Sequence, residues 1–266
     1  MNRHNELQRV AGEARRIAEL AGNLLRKRFR EPHDVSFKGA VDLVTEVDLA
    51  SEALIRDELS RSFPGELMLG EEGGGAAPDA PRVWVVDPLD GTTNYAHGLP
   101  IFSVSIALVE NGQPCVGAVC QPILHETFVA FKGGGAFLNG SPIKVSDRER
   151  LDRSLAVTGF PYDIANTIDR VLPRLRSMLQ ASRGVRRLGS AAMDLCYTAA
   201  GIFDCFWEIN LKPWDIAAGI LLVQEAGGTV TDWSGSSPLA LDRGELLATN
   251  GRLHPVVMEL LSRPPS

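Results

Sequence analysis

The chain has 266 residues, 44% of them hydrophobic and 23% charged, and a formal charge of −6. It is long enough for one large core or two packed halves, and its acidic balance disfavours nucleic acid, so any anion must be held by a local device. No apolar run approaches the roughly 18 residues of a membrane span, and the charged opening MNRHNELQRVAGEARR lacks the apolar centre of a secretion signal, which points to the cytoplasm.

Taken in chain order, Leu7, Val10, Ala11, Ala14, Ile17, Ala18, Ala21, Leu24 and Leu25 recur at helical spacing and predict an amphipathic helix ended by RKRFR and Pro32. A second helix is expected to start near Asp48, to turn Leu49, Ala53, Leu54 and Ile55 inward, and to stop before Pro64-Gly65. Segment 76–81 reads as a loop. From Arg82 the period changes to short apolar runs at 83–86, 104–109, 116–120 and 127–131, predicting an antiparallel meander with one hairpin turned at Asn111-Gly112 and further turns at 132–136 and 139–140. Beyond a charged stretch at 147–153, helical patterns at 168–179, 191–200 and 216–226 alternate with short strand-like runs, as in a layered α/β half. The expected organisation is an α+β half over 1–150 and an α/β half over 151–266 in one compact unit, with SRPPS as a frayed end. Cys115, Cys120, Cys196 and Cys205 form no CxxC pair and read as buried thiols; the five histidines show no zinc spacing.

The chemistry concentrates in WVVDPLDGTTNY (84–95). A buried strand followed by Asp87-Pro88-Leu89-Asp90 delivers two carboxylates to the strand end, and Gly91-Thr92-Thr93 opens a helix whose free N–H groups suit an anion. Carboxylates beside an anion nest repel a phosphate unless cations lie between, and oxygen-only ligands suit Mg2+. The other reading is a turn with a helix cap. Glu71-Glu72 and the Asp215 that opens an apolar helix add carboxylates, although Asp215 reads equally as a cap. No Walker loop occurs, the EF-hand spacing fails, and DxxDGT is one residue longer than the DxDGT of haloacid-dehalogenase phosphatases.

DLVTEVD (42–48), GEE (70–72), WVVDPLDGTTNY (84–95), GSAAMDL (189–195) and WDIAAGILLVQEAGG (214–228) together resemble the inositol monophosphatase family of lithium-sensitive, Mg2+-dependent phosphatases. TGFPYD (158–163) and FWEINLKPWD (206–215) are closest to its bacterial inositol-1-monophosphatase branch. The resemblance implies an αβαβα layered sandwich of the inositol monophosphatase / fructose-1,6-bisphosphatase type, assembled as a homodimer. It implies two to three Mg2+ ions: one on Glu71, Asp87 and the Leu89 carbonyl, one on Asp87, Asp90 and Asp215, and a weaker one near Glu71. Glu71, Thr92 and Asp48 would form the catalytic group, Thr92 with Asp48 orienting or deprotonating the attacking water. Asp90, Gly91, Thr92, Ser190, Ala191 and Glu208 would bind the substrate, a small phosphorylated polyol with inositol 1-phosphate first. Related enzymes act instead on fructose 1,6-bisphosphate, histidinol phosphate, NADP or 3′-phosphoadenosine 5′-phosphate. A reading of another class makes the chain an interaction protein, with RKRFR or ASRGVRR (181–187) meeting RNA or an acidic partner; solvated basic segments are the plainer account.

Overall fold

A computed structural model of the chain describes residues 2–31, 35–37, 43–77, 80–236 and 244–262. Pro32, Asp42 of DLVTEVD, residues 78–79 of the loop at 76–81 and the tail from 263 onward lie outside the described residues.

The first half runs α1 (Arg3–Arg28), β1 (Val35–Phe37), β2 (Leu43–Thr45), α2 (Glu46–Ser62), β3 (Leu67–Gly70), β4 (Gly74–Gly75), β5 (Arg82–Asp90), α3 (Thr92–Ala96), β6 (Ser103–Glu110), β7 (Gln113–Gln121), β8 (Glu126–Phe131), β9 (Gly135–Leu138) and β10 (Ser141–Ile143). The second half runs β11 (Leu155–Thr158), α4 (Ile164–Ala181), β12 (Gly184–Arg186), α5 (Ala191–Ala199), β13 (Cys205–Glu208), α6 (Pro213–Glu225), β14 (Thr229–Thr231), β15 (Leu246–Thr249) and α7 (His254–Ser262).

Helix α1 buries the expected stripe from Leu7 to Leu25 and ends with Arg26, Lys27 and Arg28 against its negative dipole end. Its buried residues pack with Val47, Ile55 and Leu59 of α2 on one face of an eight-stranded sheet, ordered β10-β9-β8-β7-β6-β5-β3-β4. Helices α5 and α6 fill the other face and also cover a five-stranded sheet, β12-β11-β13-β15-β14, through a shared core that includes Val85, Phe128, Leu195, Phe206 and Leu222. A third core, with Met178 of α4 and Val257 of α7, closes the far side. The layers are therefore α, β, α, β, α, as expected for this fold class. Each fully buried Leu, Ile or Val in them contributes roughly 1.5–3 kcal/mol.

Four expectations change. Helix α2 begins at Glu46, capped by Thr45, and Leu49 is 54% exposed, whereas Asp48, Ser51 and Glu52 are buried with Val47, Ile55 and Leu59. That face meets backbone donors as well as the sheet: the Glu52 carboxylate accepts the N–H groups of Glu72 and Gly73 at 2.8 and 2.9 Å, so an apolar-only count misplaces the stripe. The meander becomes a mixed sheet, because β3 pairs parallel with β5. Residues 135–138, expected partly as turn, form strand β9 against β8. The run at 83–86 continues to Asp90 instead of ending before Asp87. The hairpin at Asn111-Gly112 is present, both residues having the positive φ (49° and 74°) that a two-residue turn requires. All four cysteines are buried and free.

Candidate active site

Strand β5 carries the centre. Asp87 pairs with Ser105 and Asp90 with Ser103, so three steps on β5 oppose two on β6. In a regular strand residues three apart face opposite ways; the bulge at Pro88-Leu89 turns both carboxylates into one cavity. The Leu89 N–H donates to Asp87 Oδ1 (3.0 Å), and Ser51 Oγ donates to the Pro88 carbonyl (2.8 Å), fixing the bulge to α2. The parallel register pairs Gly70 with Val86, which sets Glu71 beside Asp87 at the two strand ends. Asp215 arrives on the first turn of α6, where its Oδ2 accepts the Lys212 N–H at 2.7 Å. Lys212 is the cap residue, and Asp215 stands three positions inside it.

Opposite these, Ser190 caps α5 and donates its hydroxyl to Asp90 Oδ2 (2.5 Å), which also accepts the Ala192 N–H (2.8 Å). Ser190 thereby holds Asp90 as well as lining the cavity with Ala191. Gly91 caps the five-residue helix α3 at φ 95°, a conformation that favours glycine, and Gly91, Thr92 and Thr93 line the cavity beside Leu89. Thr92 Oγ1 lies 3.0 Å from both Asp48 Oδ1 and the Leu89 carbonyl. Asp48 itself is not among the cavity-lining residues; it sits behind Thr92, its other oxygen accepting from the Thr45 N–H and hydroxyl at 2.9 and 2.5 Å. Glu208, at the end of β13, closes the remaining wall with Arg187, Gly159, Phe160 and Asp194.

Burial dominates the electrostatics. It pushes Asp87 well above the ordinary carboxylate value, helped by the charges of Glu71, Asp90 and Asp215. Asp215 is raised by burial against its bond from Lys212, with Asp90, Glu71 and Glu208 adding repulsion. Burial, opposed by Ser190 and Ala192, brings Asp90 up to about 6. Glu208 reaches about 8 through burial, which the nearby Arg187 partly offsets. A fold that gathers such groups is built to have them met by positive charge. The donor set is all oxygen, as Mg2+ requires, and no histidine or cysteine is among the described cavity-lining residues. As the side chains stand, no three His, Cys, Asp or Glu among the described residues already close on one point as a metal centre.

Thus Glu71, Asp87, Leu89, Asp90, Gly91, Thr92, Ser190, Ala191, Glu208 and Asp215 share one cavity, with Asp48 one hydrogen bond behind it. Sequence reasoning missed Arg187, Asp194, Gly159 and Asn94, whose amide ties the Ile101 and Leu188 carbonyls together at 2.7 and 2.8 Å. A signal for Asp194 existed: an acid on the otherwise apolar helix AAMDLCYTA.

The five layers and this acidic cavity define an enzyme of the phosphatase class, as relatives indicate. The chain matches the model of the inositol monophosphatase family over residues 6–264. It is 46% identical over 227 residues to the inositol-1-monophosphatase of Synechocystis sp., covering 85% of this chain and 79% of that one. It is 41% identical over 269 residues to the Nus factor SuhB of Pseudomonas aeruginosa, covering 98% and 99%. The crystal structure of the extragenic suppressor protein suhB from Bartonella henselae superposes with a TM-score of 0.91 at 39% identity, over 96% of this chain and 98% of that one. The chain belongs to the inositol monophosphatase family. Among the described residues, no helix is long and apolar enough to cross a membrane.

Proposed function

We propose that the chain is a Mg2+-dependent phosphomonoesterase acting on inositol 1-phosphate or a similar polyol monophosphate. The observation that carries this is the delivery of four carboxylates, Glu71, Asp87, Asp90 and Asp215, to one cavity. Glu71, Asp87 and the Leu89 carbonyl would hold one ion, Asp87, Asp90 and Asp215 a second, and Glu71 a third, weaker one. Bound there, such ions lower the pKa of water and stabilise the charge that develops on the leaving oxygen. The remaining work falls to the chain. Thr92 Oγ1 has two inward acceptors, Asp48 and the Leu89 carbonyl, for its single proton; toward the cavity it therefore offers a lone pair, suited to orienting a water through that water's own hydrogen. Asp48 acts through Thr92, as a positioning residue. The Gly91 and Thr92 N–H groups face the phosphate, and Glu208, with Ser190 and Ala191, the leaving group. We read the halves 1–150 and 151–266 as one cooperative unit, since both line the cavity, and the assembly as a cytoplasmic homodimer.

Phosphate release from inositol 1-phosphate, beside fructose 1,6-bisphosphate, histidinol phosphate, NADP and 3′-phosphoadenosine 5′-phosphate, tests the reading. Selective turnover of the inositol ester, lost in EDTA and inhibited by millimolar Li+, is expected. Selective turnover of another ester would overturn the substrate, and turnover surviving EDTA would overturn the metal. Sedimentation of the same sample checks the dimer. The exposed Arg183 and Arg186, and a relative named as a Nus factor, keep a second reading in view: contact with RNA or an acidic partner, with the phosphatase site retained. Salt-dependent RNA binding would support it; its absence at low salt would remove it.

Gly159→Ala provides a sharper probe of the leaving-group wall. A Cβ at 159 would overlap the Glu208 carboxylate, the far end of a flexible side chain, and the φ at 159 lies outside the positive range, so the backbone tolerates alanine. The carboxylate must swing away. The expected result is a normally folded protein whose preference for a polyol ester over phenyl phosphate falls by about tenfold, the scale of one buried hydrogen bond lost. An unchanged preference would take Glu208 out of substrate recognition.

A further inference from the structure

Asp194 stands one turn inside α5, 1% exposed, on the wall that also carries Glu208. Its two carboxylate oxygens are the only buried side-chain oxygen or nitrogen atoms among the described residues that have no hydrogen-bond partner. Asp87, Asp90 and Asp215 differ: each accepts a backbone N–H. A buried carboxylate without donors is costly, and nothing in the packing of α5 demands one, since its neighbours Ala192, Met193 and Leu195 are apolar core residues. Both oxygens are closed to water as the side chain stands, so the carboxylate meets a donor only by turning toward the cavity that Asp194 lines. The charges that bear on it most are Glu208, then Asp90, and the one cation among them is Arg187. A metal ion beside Asp194 would meet the repulsion of that guanidinium; a neutral hydroxyl would not.

We propose that Asp194 is a specificity-determining residue for the leaving group. With Glu208 it forms a pair of acceptors, and the preferred ester is one whose alcohol presents hydroxyl hydrogens to both. The inference rests on the phosphatase reading above and deepens it: the leaving group is a polyol with at least two free hydroxyls besides the esterified one.

The test uses the full chain with Mg2+, the variants Asp194→Ala and Asp194→Asn, and two substrates, inositol 1-phosphate and phenyl phosphate, whose leaving group has no further hydroxyl. Asp194→Ala is expected to lower kcat/KM for the inositol ester by about tenfold or more, and for phenyl phosphate by no more than about twofold. Asp194→Asn keeps one acceptor oxygen and should recover part of the loss, with a Tm no lower than that of the unaltered protein. Should the alanine variant fail to fold, the asparagine variant carries the comparison alone. Equal losses on both substrates, or none on either, would overturn the inference, because a structural or water-holding carboxylate does not distinguish leaving groups. If the unaltered protein cleaves another polyol ester instead, the same ratio is read on that ester. If it cleaves phenyl phosphate but no polyol ester, the substrate reading has failed and takes the inference with it. If it cleaves nothing, the phosphatase reading itself has failed.

Discussion

Asp90→Asn is expected to leave a folded protein whose phosphate release falls on the order of a thousandfold or more. Losing a residue that merely supports a metal ligand costs roughly 10–100-fold, and Asp90 is read here as a ligand itself. The fold should survive because the contacts made by Asp90 are ones an amide oxygen also accepts: the Ser190 hydroxyl at 2.5 Å and the Ala192 N–H at 2.8 Å. Stability without metal should hold or rise, since burial already pushes this carboxyl up to about 6 and Glu71 repels its charge. Activity and Tm therefore separate. Turnover within a few-fold of the unaltered protein would remove Asp90 from the ion-binding set; loss of both turnover and fold would give it a structural role instead.

The parts of this site that were legible in sequence are those whose geometry is local. The stripe on α1, the Asn111-Gly112 turn and the two aspartates of DPLDGT each need only neighbours in the chain to define them. What local pattern alone could not supply depends on long-range register, and Glu71 was joined to Asp87 only through the family resemblance. Glu71 meets Asp87 because β3 runs parallel to β5, and short apolar runs predict strands without predicting partners. Glu52 and Asp194 are acids on helices, where hydropathy assigns charge to solvent; one is buried against the backbone of the Glu71 turn, the other against the cavity. Leu49 fails in the converse way, an apolar residue left outside because polar groups occupy the inner face of α2. Gly159 falls in TGFPYD, but nothing in the neighbouring chain calls for a glycine there, since its constraint is a side chain 49 positions away. Arg187 was read as part of a basic segment, yet it lines the leaving-group wall and packs its guanidinium over Phe160 at 5.8 Å.

In EDTA, the protein is expected to lose thermal stability as pH rises from about 5 to 8, the reverse of ordinary acid denaturation. Asp90 is held at about 6 against an ordinary 3.8, Glu208 at about 8 against 4.5, and Asp87, Asp194 and Asp215 are raised as well, burial being the leading cause for each. Between the ordinary and the raised values the folded state binds more protons than the unfolded chain, so the slope of stability with pH is negative. The stabilisation is complete below the ordinary carboxylate value and is lost as pH passes about 6 for Asp90 and about 8 for Glu208. His254 opposes this: burial lowers it, so its contribution grows as pH rises toward its ordinary 6.5. One half-buried imidazole is outweighed by five buried carboxyls. At roughly 2–4 °C per kcal/mol for a domain of 150–250 residues, a Tm drop of at least about 5 °C is expected across that range. Millimolar Mg2+ should flatten the slope, raising Tm more at pH 8 than at pH 5, because ionised ligands bind it and protonated ones do not. Glu208→Gln should lessen the EDTA slope above pH 7 and leave the Mg2+ effect in place, since Glu208 is read as facing the substrate. Scanning calorimetry at several pH values, with and without Mg2+, measures all three. A Tm that climbs with pH in EDTA would mean that the carboxylates are not burdened by burial as described, and a Mg2+ effect equal at both ends of the range would place the ion elsewhere than on Glu71, Asp87, Asp90 and Asp215.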